Sequence, residues 1–272
     1  MKTTYAKAIN DGMVQAMTLD RSVICIGQAV DSKAGVFGTT AGLAEQFGKH
    51  RVIDTPISEH GVTQMAAGMA QAGMRPVVVH QRVDFSLFAL DSIINWVALW
   101  RFISNGKSTM PITIRMIVGK GWGQGPQHSK SLHCLFAHIP GLRVVIPGTP
   151  SDAKGLLLSS IFSDDPTIII ESRNLFSMSE NIKAGAYYTK PEPTLCRTGG
   201  DVTVVAFGAM LPLAIEVCDE ARQARIGVDL IDLKCVAPLD MKAIVHSVDK
   251  TGRLIVCDPD WQDYGIAGEI IA

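Results

Sequence analysis

Apolar and polar positions follow two alternating rhythms along this chain. Short, nearly continuous apolar runs fall at 22–26, 51–54, 76–81, 111–118, 142–146 and 167–171. Between them, apolar residues recur every three or four positions, which predicts helices over 3–17, 40–47, 61–74, 85–103, 132–138 and 150–162. Strands that are apolar throughout, separated by helices, indicate an α/β fold built on a parallel sheet covered on both faces. The alternation breaks from 172 to 200, a stretch rich in proline and glycine toward its end, and reads there as a linker. It resumes with strands at 201–207, 228–233 and 253–257, helices at 211–225 and 240–248, and a fresh helical pattern near 264. The second unit is therefore short for a domain.

Open parallel sheets gather ligands beyond the carboxyl ends of their strands, so the polar residues there are the candidates. The turn Asp54-Thr55-Pro56-Ile57-Ser58-Glu59-His60-Gly61 lies between one such strand and the helix that follows. Pro56 holds it extended, Ser58 is placed to cap the helix, and Glu59 falls in the first turn. A carboxylate there either complements the helix dipole or faces a ligand. Gln28 and Gln81 occupy two further strand ends, where each either satisfies loose backbone or faces the same cleft. The loop Gly119-Lys120-Gly121-Trp122-Gly123-Gln124-Gly125 fits neither glycine-rich nucleotide fingerprint. His128, just past it, is either an ordinary loop histidine or a proton carrier held near the cleft.

Composition narrows the field. The 272 residues are 47% hydrophobic and 19% charged with a formal net charge of -1, which suits a soluble globular protein and gives no bulk attraction for nucleic acid or anionic lipid. The start has no signal-peptide core, and no apolar run reaches the length of a membrane span. The six cysteines are scattered without a Cys-x-x-Cys pair and read as reduced thiols, which points to the cytoplasm.

Several longer motifs then resemble one family. They are Asp54-Thr55-Pro56-Ile57-Ser58-Glu59, Gly73-Met74-Arg75-Pro76, Pro126-Gln127-His128-Ser129, Phe136-Ala137-His138-Ile139-Pro140-Gly141-Leu142, Asp152-Ala153-Lys154-Gly155-Leu156 and Val236-Ala237-Pro238-Leu239-Asp240. Together they are similar to the beta subunit of the thiamine-diphosphate-dependent decarboxylating component of 2-oxo acid dehydrogenases (pyruvate, branched-chain and acetoin types). The resemblance implies a pyrimidine-binding domain over 1–185, a linker over 186–200 and a transketolase-type carboxyl-terminal domain over 201–272. That second domain stops short of the family's usual length.

The resemblance also implies chemistry. Glu59 would bind the first ring nitrogen of the cofactor's aminopyrimidine and so promote loss of the thiazolium proton. Gln28, Gln81 and Phe85 would line the pyrimidine pocket, and His128 would serve proton and acyl transfer. Ile112, Ile161 and Asp165 would belong to a monovalent-cation loop, for K+. The pyrophosphate and Mg2+ motif, Gly-Asp-Gly, is absent from this sequence and is expected on an alpha subunit within an alpha–beta heterotetramer. A lipoyl acyltransferase is a further implied partner.

Two departures stand out. Gln28 replaces a carboxylate usual in the family, and Arg82 follows Gln81 where an apolar or small residue is usual. Two alternatives remain open on the sequence. One is a split transketolase moving a ketol unit between sugars, with Arg82 or Lys120 for a phosphate. The other is a non-catalytic partner that stabilises an alpha subunit.

Overall fold

A computed structural model describes residues 2–272. Its largest sheet has seven strands, which run across it in the order Cys235–Ala237, Arg143–Val145, Thr167–Ser172, Thr113–Val118, Arg75–His80, Val23–Gly27 and Val52–Asp54. All neighbouring pairs are parallel except the first, where Cys235–Ala237 runs antiparallel to Arg143–Val145. The inner strands are buried on both faces, which is why they read as unbroken apolar runs.

One face is covered by the helices Tyr5–Leu19 and Pro150–Ile161. Thr4 starts the first by accepting the Lys7 amide on its hydroxyl. Tyr5, Ile9, Met13 and Met17 then line its buried side. The two helices pack closely at Gly12, where an added Cβ would lie 3.2 Å from Leu157. The other face carries Glu59–Gln71, whose Val62, Ala66, Ala67 and Ala70 are buried against the sheet.

A four-stranded sheet follows, in the order Leu254–Cys257, Val202–Ala206, Val228–Asp232 and Thr194–Arg197, the last antiparallel to its neighbour. Residues 186–200, read as linker from the sequence, thus contain this sheet's edge strand. The helix Met210–Gln223 packs on this sheet through Leu211, Ala214 and Cys218. Val205, Phe207 and Ile231 of the second unit share one apolar cluster with Ile146 and Ile168 of the first. Cys235–Ala237 crosses to the large sheet as well, so the two units are joined by core and by backbone pairing.

The stretch 85–103 departs from the expected single helix. It forms three short pieces instead: the tight turn Phe85–Ala89, the wide turn Ser92–Val97, and Trp100–Ile103. Hydroxyls divert its backbone, with Ser86 donating to the Val83 carbonyl at 2.6 Å and Ser92 reaching the His60 carbonyl at 3.2 Å. Gly141 presses on the same stretch, since a Cβ there would meet the Ala98 oxygen at 2.2 Å. Ser58 occupies the capping position of Glu59–Gln71, but its side chain makes no capping bond. No helix among the described residues is long and apolar enough to cross a membrane.

Candidate active site

Three of the strand-end residues are brought together by hydrogen bonds. Val23–Gly27 and Val52–Asp54 pair in parallel, so their carboxyl ends deliver Gln28 and the Asp54–Glu59 turn side by side. Gly27 allows the next strand to approach, because a Cβ there would lie 2.5 Å from the Val79 oxygen. Asp54 Oδ1 accepts the Ala29 amide at 2.5 Å, and Thr55 N donates to the Gly27 carbonyl at 3.2 Å, fixing the turn. Glu59 then sits half-buried at the first helical position.

The Glu59 carboxylate reaches across to the neighbouring strand end instead of folding onto its own helix. Gln28 Nε2 donates to Glu59 Oε1 at 3.2 Å, and Gln81 Nε2 donates to the Gln28 carbonyl at 3.3 Å. Glu59 Oε2 accepts no hydrogen bond among the described residues, so one oxygen is left for an outside donor. Gln28 is therefore a donor to Glu59.

A second contact group adjoins the first along the chain. The ring of Phe85, four residues after Gln81, meets the His128 imidazole edge to face, with centroids 5.3 Å apart and planes at 80°. The glycine loop returns to the sheet through the Gly119 amide, which donates to the His128 carbonyl at 3.0 Å. A Cβ on Gly119 would lie 2.4 Å from that oxygen, so the return requires glycine. His128 Nδ1 is buried with no partner among the described residues. A buried polar atom without a partner is costly, and a ligand group at this edge would satisfy it.

Arg82 lies buried beside this pair. Its guanidinium donates to the Gln81 carbonyl at 2.6 Å and to the Gln124 side chain, and stacks 4.8 Å from the centre of the Phe37 ring. Arg173 stacks on Phe37 as well, at 4.8 Å, and on Trp122 at 4.3 Å. Burial, and then the Arg173 charge, lower the Arg82 pKa from its usual value. This wall of Phe37, Trp122, Arg82 and Arg173 was not legible as a unit, because its members are far apart in sequence and follow no shared motif. Lys120 is also engaged, donating to the Pro259 carbonyl at 2.8 Å.

The proposed cation loop lies at the opposite end of the strands, by the amino termini of Thr113–Val118 and Thr167–Ser172. Ile112 precedes the strand Thr113–Val118, Ile161 ends its helix, and Asp165 forms an ion pair with Arg101. Arg75 Nη1 donates to the Ile161 carbonyl at 3.1 Å and to the Ser163 carbonyl at 2.8 Å, while Nη2 donates to Asp164 at 3.0 Å. The Ile112 carbonyl accepts the Thr167 amide at 3.0 Å. A fixed positive charge of the chain's own, Arg75, already sits on the Ile161 and Ser163 oxygens, and a backbone amide occupies that of Ile112. They do not fit a bound K+, and nothing below is routed through one.

The fold is that of a transketolase-type pyrimidine-binding domain joined to a transketolase carboxyl-terminal domain. Residues 1–178 match the family described as transketolase, pyrimidine binding domain, and residues 194–272 match transketolase, C-terminal domain. Acetoin:2,6-dichlorophenolindophenol oxidoreductase subunit beta of Cupriavidus necator is 38% identical over 100% of this chain and 83% of that protein. The pyruvate dehydrogenase E1 component subunit beta of Bacillus subtilis is 36% identical over 99% of this chain and 83% of that protein. This chain belongs to that family of beta subunits. Among solved structures, a split-gene transketolase described as an inactive beta4 tetramer superposes with a TM-score of 0.81 at 18% identity, over 98% of this chain and 83% of the other. At that identity the likeness speaks for the fold alone.

Proposed function

We propose that this chain is the beta half of an enzyme that decarboxylates a 2-oxo acid on thiamine diphosphate and passes the acyl or aldehyde unit to an acceptor. The observation that carries this reading is the Gln28–Glu59–Gln81 cluster, in which Glu59 is held at one oxygen and left open at the other. The residues fit an aminopyrimidine: Glu59 Oε2 would share the proton of the first ring nitrogen, and Gln81 and the half-buried Phe85 would flank the ring. Bound there, thiamine diphosphate supplies the electron sink for breaking a carbon–carbon bond beside a carbonyl. The His128 imidazole, against Phe85, would exchange a proton with the substrate.

The reading also needs a partner. With no Gly-Asp-Gly in the chain, the pyrophosphate and its Mg2+ would be held by an alpha subunit. Large apolar side chains support such an interface, with Phe88 76%, Phe102 86% and Ile57 82% exposed, the last beside Glu59 in the turn. The sugar-phosphate alternative is less favoured because the Arg82 guanidinium is buried and already donates to Gln81 and Gln124, and Lys120 donates to Pro259.

Calorimetric titration with thiamine diphosphate and magnesium tests the two-chain reading. The chain alone is expected to show no tight binding, and the chain with its alpha partner is expected to bind tightly. Sub-micromolar binding by the isolated chain would overturn it.

A further inference from the structure

Away from the Glu59 cluster, a second group of reactive side chains gathers where the two units of the chain meet. His133 opens the helix His133–Ala137 of the first unit, and Asp258 follows the strand Leu254–Cys257 of the second. His133 Nε2 lies 3.0 Å from Asp258 Oδ1 and 3.8 Å from Asp260 Oδ2. These three side chains are at most 6% exposed. The Cys134 thiol is beside them, and the ligand atoms of His133, Cys134 and Asp258 all lie within 4.8 Å of one another.

The group is held in place before anything binds. The His133 ring rests edge-on against Phe207, with centroids 5.4 Å apart. Asp258 accepts the Asp260 amide on Oδ1 at 3.0 Å and the Ala267 amide on Oδ2 at 3.2 Å. A plain histidine–aspartate pair would account for one imidazole and one carboxylate. Here a second carboxylate, Asp260, and a thiol that bonds to it share the same pocket, where burying surplus negative charge is expensive.

We propose that His133, Cys134 and Asp258, with Asp260 as the fourth ligand, form a tetrahedral site for a divalent ion of the zinc class that clamps the two units together. Nitrogen, sulfur and carboxylate oxygen together suit zinc and not magnesium or calcium, which take oxygen ligands. Zinc bonds of about 2.0–2.3 Å set tetrahedral ligand atoms roughly 3.2–3.8 Å apart. The histidine–carboxylate separations of 3.0 and 3.8 Å already fall close to that range, and the Cys134 thiol lies within 4.8 Å of the His133 and Asp258 ligand atoms. On binding, the Cys134 thiol gives its proton to solvent, and His133 keeps its hydrogen on Nδ1 and presents a bare Nε2. A cavity of about 890 Å³, lined in part by Cys134, Asp260, Val236 and Ile266, gives the ion a way in.

Cobalt titration of the chelator-stripped full chain tests this, read by absorption, with zinc content measured by plasma mass spectrometry. One cobalt per chain is expected, with a thiolate-to-cobalt charge-transfer band. Cys134→Ser should abolish the band, Cys257→Ser should leave it, and Asp258→Asn should weaken binding by about 100-fold or more. Zinc should raise the melting temperature of the wild type and not that of Cys134→Ser. Absence of stoichiometric binding at micromolar cobalt, or a band that persists in Cys134→Ser, would overturn the site. Neither result bears on the Glu59 reading, which has its own titration.

Discussion

Two glutamates on this scaffold do opposite things. Glu171 sits inside the strand Thr167–Ser172, 1% exposed, with Arg115 donating to both of its oxygens, Nε to Oε1 at 2.6 Å and Nη2 to Oε2 at 2.9 Å. Glu59 sits where a helix begins, half-buried, with a neutral amide on one oxygen and nothing on the other. The first carboxylate has a matched cation and no spare acceptor facing water, so its charge is tied up in holding two strands in register. The second is held at one oxygen by a neutral amide, and on the reading proposed above its other oxygen would meet the cofactor. Full pairing inside the core marks a structural charge, whereas a half-buried carboxylate at a strand end, held at one oxygen, is the one to test for chemistry.

The sharpest way to break that contrast is Glu59→Gln. The amide nearly matches the acid in size, so stability measured by urea unfolding should change by less than about 0.5 kcal/mol. It cannot hold the shared proton, and removal of a proton-transfer group costs about 100-fold to 10,000-fold in rate. Hydrogen–deuterium exchange at the thiazolium carbon, in the reconstituted two-chain enzyme, reads the loss directly. Unchanged exchange would leave Glu59 as a helix-dipole residue and remove the contrast.

The reverse pattern is expected of Glu171→Gln. Breaking a buried pair strands the Arg115 guanidinium without its counter-charge, which costs about 3–5 kcal/mol of stability. Molecules that remain folded should still exchange the thiazolium proton at the wild-type rate, because Glu171 touches none of the site residues. Equal damage to both readouts would mean that the two glutamates are coupled through the sheet.

His80 gives a smaller, pH-dependent version of the same comparison. It lies at the end of Arg75–His80, buried beneath the helix that carries Glu59, with its Nε2 3.2 Å from the Thr63 hydroxyl. Burial pushes its pKa down to about 4. The folded chain therefore keeps it neutral, while the unfolded chain takes up a proton below about pH 6.5. Its contribution is level above that value and is lost as pH falls toward 4, at up to about 1.4 kcal/mol per pH unit. Urea midpoints across this window should fall for the wild type and flatten in His80→Gln.

Much of this was readable from the sequence where burial imposes a simple pattern. The parallel strands of the large sheet are buried on both faces, so their apolar runs announced them and placed Gln28, Glu59 and Gln81 at carboxyl ends. Cys235–Ala237 escaped because it is three residues long and begins just after Lys234, whose backbone turns to a φ of 56°. Thr194–Arg197 escaped because an exposed edge strand needs no apolar rhythm. The stretch 85–103 has helical spacing of bulky residues, yet serine hydroxyls and the Gly141 backbone decide its winding, and periodicity does not register either. At the site, Arg173 and Trp122 met Arg82 around Phe37 only through the tertiary fold. The pairing of His133 with Asp258 spans 125 positions and carries no local signal.

The finest test turns on Gln28, the donor to Glu59, where the family resemblance leads to the expectation of a carboxylate. Gln28→Glu would replace the donor 3.2 Å from Glu59 Oε1 with a second acceptor. Two carboxylates at that distance cannot both ionise easily, so one of them keeps its proton to higher pH. The acid limb of the exchange-rate profile should then move up by about one pH unit or more, with a several-fold loss at neutral pH, while the alkaline plateau stays near the wild-type rate. Packing should hardly change, since the side chains differ by an amide nitrogen and an oxygen. A lowered plateau with no shift of the limb would show that Gln28 acts by aiming Glu59 and not by setting its charge. A shifted limb with an intact plateau would show that the open oxygen of Glu59 depends on a neutral neighbour.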